Sequence, residues 1–207
     1  MDETTKLFDV WANTGRSEEM EKGHGTTVNQ FLDKLSLKEN FRFLDIGCGN
    51  GWVVRKMSNK SSCIKSIGID KSKMMIKNAK SKKSSEKESY FVTELEEWNT
   101  KEKFDVIFSM ESLYYSVPME PALEKVFRLL KKGGAFYCGT DFYSDNTLTT
   151  RWMKDMNIPM DLRSEKEWKK MFRDAGLITS SRHVTDSKNK SKWKREFGTL
   201  FIIGRKF

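Results

Sequence analysis

A chain of 207 residues and 24.2 kDa has the length of one domain with one sizeable core. Its first residues are polar with no apolar targeting segment, and no apolar run approaches the roughly 18 residues of a membrane helix, which predicts a cytoplasmic protein with no integral membrane part. Three cysteines, Cys48, Cys63 and Cys138, have no CxxC spacing and no histidine beside them, which argues against a disulfide framework and against a metal site. The formal charge of +9 is uneven, acidic over the first forty residues and basic beyond. Two runs stand out, at Lys71, Lys73, Lys77, Lys80, Lys82 and Lys83, and at Lys188, Lys190, Lys192, Lys194 and Arg195. They could track phosphates of RNA or an anionic membrane, but they are nearly all lysine, with Trp193 the only aromatic, and read more simply as solvated surface.

The predicted elements alternate in type. A helix over residues 3–22 places Leu7, Phe8, Trp11 and Ala12 on one side, and a second over 27–37 places Val28, Phe31, Leu32 and Leu35 on one side. Gly23-His24-Gly25 forms a flexible link between them. Strand one is 41–46, followed by a helix over about 50–58; strand two is 64–69, ending at Asp70; a lysine-rich amphipathic helix and a polar loop over 81–87 follow. Strands three, four and five are 89–93, 104–109 and 135–140, with a helix over 121–130 that is stopped by Lys131-Lys132-Gly133-Gly134. Residues 143–163 interrupt the pattern, and a helix over 164–175 then leads into two strands, 178–184 and 198–203, read as a terminal hairpin. Such alternation predicts a doubly wound α/β sheet with helices on both faces.

The most informative stretch is Asp45-Ile46-Gly47-Cys48-Gly49-Asn50-Gly51, where an apolar strand enters a turn with glycine at alternate positions. Glycine tolerates positive φ and lets backbone approach a ligand closely, and the following helix offers unpaired N–H groups. Position 52 is Trp, so the GxGxxG pyrophosphate pattern fails. The Asp-x-Gly-x-Gly-x-Gly pattern resembles motif I of the class I S-adenosylmethionine (SAM) dependent methyltransferases. That resemblance implies a single domain over 1–207 built on a seven-stranded sheet of order 3-2-1-4-5-7-6 with strand 7 antiparallel. Residues 1–40 would then form an N-terminal helical lid, and 143–163 a substrate-side insertion. It implies SAM as cofactor, S-adenosylhomocysteine as product, and a cofactor site at Asp45, Gly47, Cys48, Gly49, Asn50, Gly51, Asp70, Lys71, Glu94, Leu95, Ser109 and Met110. Asp70 would bind the ribose, although an acid ending a strand is equally a helix cap. Glu94-Leu95 stands where the family usually has Asp-Ala, and Lys132 stands in place of Pro in the Leu-Lys-Pro-Gly-Gly turn. Trp98 could pack on the adenine or in the core.

The residues after strand four, Met110-Glu111-Ser112-Leu113-Tyr114-Tyr115, face the transferred methyl in this family. An Asn/Asp-Pro-Pro-Tyr sequence and a Pro-Cys pair are absent here, which by elimination resembles the small-molecule and lipid methyltransferases, including the quinone-biosynthesis branch. Glu111 could be a general base, hold a cationic amine, or cap a helix, and Tyr115 could bond the acceptor or present an aromatic face. His24 on its glycine-flanked link could accept a proton near neutral pH. Trp11, Tyr114 and Trp152 are candidate substrate residues, and Arg16 could pair with the SAM carboxylate. His183, in the hairpin, reads as structural. The resulting expectation is methyl transfer to a small-molecule amine, hydroxyl or activated carbon. The alternatives are an RNA methyltransferase or a non-catalytic SAM-binding partner protein. Oligomeric state stays open.

Overall fold

In the computed structural model, which describes residues 2–207, the apolar runs form β1 (Phe41–Ile46), β2 (Cys63–Asp70), β3 (Glu88–Val92), β4 (Phe104–Met110) and β5 (Leu130–Thr140). With β6 (Ile178–Val184) and β7 (Thr199–Arg205) they make one seven-stranded sheet of order β3-β2-β1-β4-β5-β7-β6, in which β7 is antiparallel to both neighbours. Order and directions match the sheet expected from the sequence.

Side chains that alternate along each strand fill two cores. Phe41 and Phe43 join Val106, Phe108, Tyr137 and Phe201 beneath α2 (Arg16–Leu32) and α3 (Trp52–Ser58). Leu44 and Ile46 join Ile107, Phe136, Cys138, Leu200 and Ile202 beneath α5 (Glu120–Leu129) and α7 (Glu165–Asp174). Burying each of these Phe or Ile side chains contributes about 2–3 kcal/mol. Phe31 lies flat on Phe201, ring centroids 4.0 Å apart, and pins α2 to the sheet.

The N-terminal segment departs from its expected boundaries. Two helices form, but they are α1 (Glu3–Asn13) and α2, and the chain breaks at Thr14-Gly15, not at Gly23-His24-Gly25. Gly15 takes φ +78°, the left-handed conformation that favours glycine. Asp2 caps α1 by accepting the Thr5 amide at 2.7 Å. Gly23 and Gly25 are helical, each at a cost of about 1 kcal/mol relative to Ala, and burial of Val28, Phe31 and Leu32 on the sheet outweighs that cost. His24 therefore stands on a helix, not on a flexible link. Helix α1 docks on α4 (Lys73–Ser81): Asp9 accepts from the Ser72 hydroxyl and from the Met74 amide at 3.3 Å, and Asn78 Nδ2 donates to the Ala12 carbonyl at 2.8 Å.

Three smaller differences follow from pairing. Helix α5 ends at Leu129 as its stop signal predicts, yet residues 131–134 are a bulged start to β5, because pairing jumps from Phe104–Leu130 to Val106–Ala135 across Gly133 at φ +75°. Residues 143–163 contain the short α6 (Trp152–Met156). Between β6 and β7 the chain forms α8 (Lys192–Glu196), an element the sequence reading lacks. Lys194 on α8 is only 2% exposed, which removes it from any solvated lysine run.

Candidate active site

The glycine turn leaves β1 with Gly47, Gly49 and Gly51 at φ +68°, +52° and +79°. Each is glycine for its own reason. A Cβ on Gly47 would lie 1.9 Å from Ser112 Oγ, and one on Gly51 would lie 2.7 Å from the Tyr90 ring. One on Gly49 would meet nothing within 4 Å, because this backbone faces a cavity of about 460 Å³ at the carboxyl ends of β1, β2 and β4. The Gly49 amide donates to Asp70 Oδ2 at 2.9 Å, and the Ser72 amide donates to Asp70 Oδ1 at 2.9 Å. Asp70 therefore braces the turn and the entry to α4 while it lines the cavity. Burial pushes its carboxyl above the usual range, and burial together with the charge of Asp70 pushes Asp45 well above it. Asn50 Nδ2 donates to Glu21 Oε2 at 2.8 Å, so the turn also fastens α2.

Most expected site residues meet at this cavity: Asp45, Gly47, Cys48, Gly49, Asn50, Asp70, Lys71, Glu94, Leu95, Met110, Glu111, Tyr115 and His24 all line it. Five do not. Gly51 starts α3 behind the turn. Ser109 points away, since Phe108 and Met110 on either side face the cavity and strands alternate; it is fully buried and its Oγ has no partner among the described residues. Tyr114 is buried, its hydroxyl donating to Glu111 Oε2 at 3.0 Å. Trp11 packs edge-on against Phe8 at 5.3 Å, and Trp152 lies flat against Phe142 at 6.3 Å. Arg16 pairs with Glu19 at 2.7 Å on the surface. Trp98 packs between Phe91 and Phe104 in the core. His183 donates to or accepts from groups on the hairpin side, with Nε2 2.8 Å from Glu165, in keeping with a structural role.

Directly after β4, Glu111 has φ +52°, a strained conformation for a residue with a Cβ. Its Oε1 accepts from the Asp141 amide and its Oε2 from Tyr114. Burial first, and the nearby Asp141 carboxylate second, raise Glu111 to about 8. Behind it lies a group of polar side chains from four separate elements, of which Asp141, Lys194 and Thr199 are buried and His24 partly so. Lys194 Nζ is 2.6 Å from Asp141 Oδ2 as an ion pair and donates to Thr199 Oγ1 and His24 Nδ1, both at 3.0 Å. Thr199 Oγ1 donates to Asp141 Oδ1 at 2.7 Å. Burial, then the Lys194 charge, lower His24 to about 4, so its ring is neutral at physiological pH. Sequence reasoning missed Asp141 and Lys194. Asp141 directly follows β5 at the end of the sheet where sites gather, a signal that could have found it. Lys194 carried none, sitting in a lysine run.

The turn and the carboxylates fit SAM: open backbone at Gly49 admits close approach, and the buried Asp45 and partly buried Asp70 are acids suited to ammonium and hydroxyl groups. Among the described residues no group of three or more His, Cys, Asp or Glu is placed to hold a metal, and no helix is long and apolar enough to cross a membrane.

Known proteins agree. A family model described as a methyltransferase domain matches residues 37–176. The ubiquinone biosynthesis O-methyltransferase of Pelagibacter ubique is 36% identical over 104 residues, 49% of this chain and 42% of that protein. A chain described as a methyltransferase and solved in complex with the Trm112 methyltransferase activator of Haloferax volcanii superposes with a TM-score of 0.89 at 28% identity, over 96% of both chains. The N-methyltransferase NodS of Bradyrhizobium japonicum, solved with S-adenosyl-L-homocysteine, shares the fold at 20% identity, with a TM-score of 0.67 over 90% of this chain and 86% of that one. The matched stretches span 58% and 42% of the length of the first curated relatives. With motif I on a seven-stranded sheet, Asp70 beside it and a family match over residues 37–176, this chain belongs to the class I SAM-dependent methyltransferases.

Proposed function

We propose that residues 1–207 form one methyltransferase domain that transfers the methyl of SAM to a small neutral or cationic molecule, with residues 1–40 as the lid. The observation that carries this reading is the charge of the cavity. In a chain of net charge +9 the cavity is lined by the carboxyls of Asp2, Glu21, Asp45, Asp70, Glu94, Glu96 and Glu111, against the single ammonium of Lys71 among the described residues. The acids outnumber it even with Asp45 and Glu111, whose surroundings favour the neutral form, set aside. Such walls repel a phosphate backbone and suit an amine or a hydroxyl.

Bound SAM supplies an electrophilic methyl on a sulfonium. The chain has to align the acceptor, exclude water and provide a route for the acceptor's proton. Asp45, Asp70 and the glycine turn hold the cofactor, with Glu94 and Leu95 beside it. Phe8 and Tyr115 meet edge to face at 5.2 Å and form an apolar wall from α1. Glu111, held by Tyr114 and the Asp141 amide, is the group suited to take the proton or to hold a cationic amine.

Transfer of labelled methyl from SAM into an extract separated into small-molecule, lipid, RNA and protein fractions tests this, with Asp45→Ala as the blank. Label in the small-molecule fraction is expected; label confined to RNA, lost on ribonuclease treatment and steeply salt-dependent, would overturn it in favour of the RNA reading. SAM binding without label in any fraction would support a non-catalytic role.

A second reading concerns assembly. Because the Haloferax relative was solved with an activator protein, we propose that a protein of that kind stabilises this chain. Co-expression with the host's own Trm112-type protein should raise yield and melting temperature; unchanged values for a chain active on its own would remove the idea.

A further inference from the structure

We infer that Lys194 is a positioning residue that commits His24 to carrying its proton on Nε2, so that the lid offers the cavity a hydrogen-bond donor and not a base. The inference starts from counting donors and acceptors. An ammonium has three donors and no acceptor, and Lys194 is 2% exposed, out of reach of bulk water. Its three neighbours are Asp141 Oδ2, held as an ion pair at 2.6 Å, and Thr199 Oγ1 and His24 Nδ1, each within hydrogen-bond distance at 3.0 Å. A proton on Nδ1 would place two donors face to face at 3.0 Å with no acceptor between them. Nδ1 is therefore the acceptor, and a neutral ring must carry its hydrogen on Nε2. Nε2 has no partner among the described residues, and the ring lines the cavity.

The charged groups that face the ring are Lys194 from α8, Asp141 at the end of β5 and Arg16 from the start of α2; Glu111 reaches the Asp141 backbone from the end of β4. Two of the three are cations, and the one anion, Asp141, lies 3.7 Å from Nδ1 but is already paired with Lys194. A second proton on the ring is thus opposed by its surroundings and by burial alike. Consequently the acceptor's proton is not passed to His24. A donor at this place suits an acceptor molecule with an oxygen or nitrogen lone pair directed at the lid, which narrows the small-molecule class to one that carries a hydrogen-bond acceptor near the methylated atom.

The chain has two histidines, so each ring is resolved in a two-bond 15N–1H spectrum, with the more exposed His183 as internal reference. In the unmodified protein His24 should show the Nε2–H pattern and no titration between about pH 5.5 and 8, against an ordinary value near 6.5. A His24 that titrates near that value, or carries its proton on Nδ1, overturns the proposal without any assay of transfer. In Lys194→Met, Asp141 is freed to pair with His24, and a titration should appear with a raised midpoint. An unchanged His24 pattern in a folded Lys194→Met overturns the role of Lys194. Should that variant not fold, Lys194→Arg, which keeps the donors, must retain the Nε2–H pattern.

The consequence for transfer rests on the methyltransferase reading above. His24→Gln, which keeps a side-chain donor, should retain more activity than His24→Ala by about 5- to 10-fold at equal SAM affinity, the size of one neutral hydrogen bond. Equal activities would leave the tautomer result standing but remove its use in the reaction.

Discussion

The two ends of the cavity are built by opposite means. At the glycine turn, one continuous stretch supplies the geometry through its backbone, and a single distant side chain, Asp70, braces it through the Gly49 amide. Around Glu111, side chains from α2, the end of β5 and α8 converge, Lys194 and His24 standing 170 positions apart in the chain. A site made of local backbone leaves a written motif, because each residue is restricted by φ or by the space for a Cβ. A site made of distant side chains leaves none, because any element can supply a carboxylate or an ammonium once the fold is in place.

The largest effect should follow from the turn. Gly47→Ala adds a methyl 1.9 Å from Ser112 Oγ at φ +68°, where backbone strain alone costs about 1–3 kcal/mol. SAM affinity measured by calorimetry should fall on the order of 100-fold or more. Adding Ser112→Gly removes the collision but not the strain, and should restore only part of the loss. Gly49→Ala separates the two causes. Its methyl meets no protein atom within 4 Å, so unfolding should register only about 1–2 kcal/mol for the left-handed residue, while SAM affinity falls about 10-fold or more because the methyl enters the cavity. If Gly49→Ala binds SAM like the parent protein, the turn does not cradle the cofactor.

At the other end, Glu111→Gln should leave SAM affinity within about threefold and lower the transfer rate by roughly 10²–10³-fold. The parent rate should rise with pH through about 8, where the raised carboxyl loses its proton, and the rise should vanish in the variant. A glutamine enzyme that keeps both rate and profile places the proton elsewhere.

These contrasts explain what could be read beforehand. The sheet order, motif I and Asp70 were legible because apolar runs, positive-φ glycines and a strand-ending acid each have one dominant physical cause. Ser109 was assigned to the cofactor although the alternation that puts Phe108 and Met110 at the cavity turns it away. The break between the first two helices was misplaced because Gly23 and Gly25 resemble one, and only the packing of Phe31 on Phe201 shows why the helix runs through them. Lys194 was invisible in principle, since nothing in a lysine run marks the member that turns inward.

A smaller effect should appear in stability. His24 has a folded value of about 4, below the roughly 6.5 of an unfolded histidine. As pH falls below about 6.5 the unfolded chain takes up the proton first, so the stability present above that pH declines towards about 4. Glu111, whose folded value is raised, acts with the opposite sign: its contribution is present at low pH and is lost as pH rises through about 8. The difference between the parent and His24→Gln isolates the histidine. Between pH 7 and 5 the parent should lose about 2 kcal/mol more than the variant in urea unfolding. Parallel curves would mean that His24 titrates normally and that the buried group around Lys194 is looser than it stands here.

The smallest effect should come from the lysines of α4, and its smallness is what makes it useful. Lys73, Lys77 and Lys80 are exposed, opposite the buried Met75, Ile76 and Ala79, whereas Lys71 pairs with Asp2 at the start of α1 and Lys82 with Glu18 on α2. Exposed charges of this kind contribute at most a few tenths of a kcal/mol each to stability. Replacing all three by Glu changes the net charge by six without touching the cavity, so transfer to a small acceptor should change less than about twofold, with little dependence on salt. Transfer to RNA would respond differently, since removing three phosphate contacts flattens the salt dependence and weakens binding by orders of magnitude. Measured beside Lys71→Glu and Lys82→Glu, which also remove the ion pairs to Asp2 and Glu18, the triple variant tells whether the basic surface serves a substrate or whether only the lysines paired with the N-terminal helices matter.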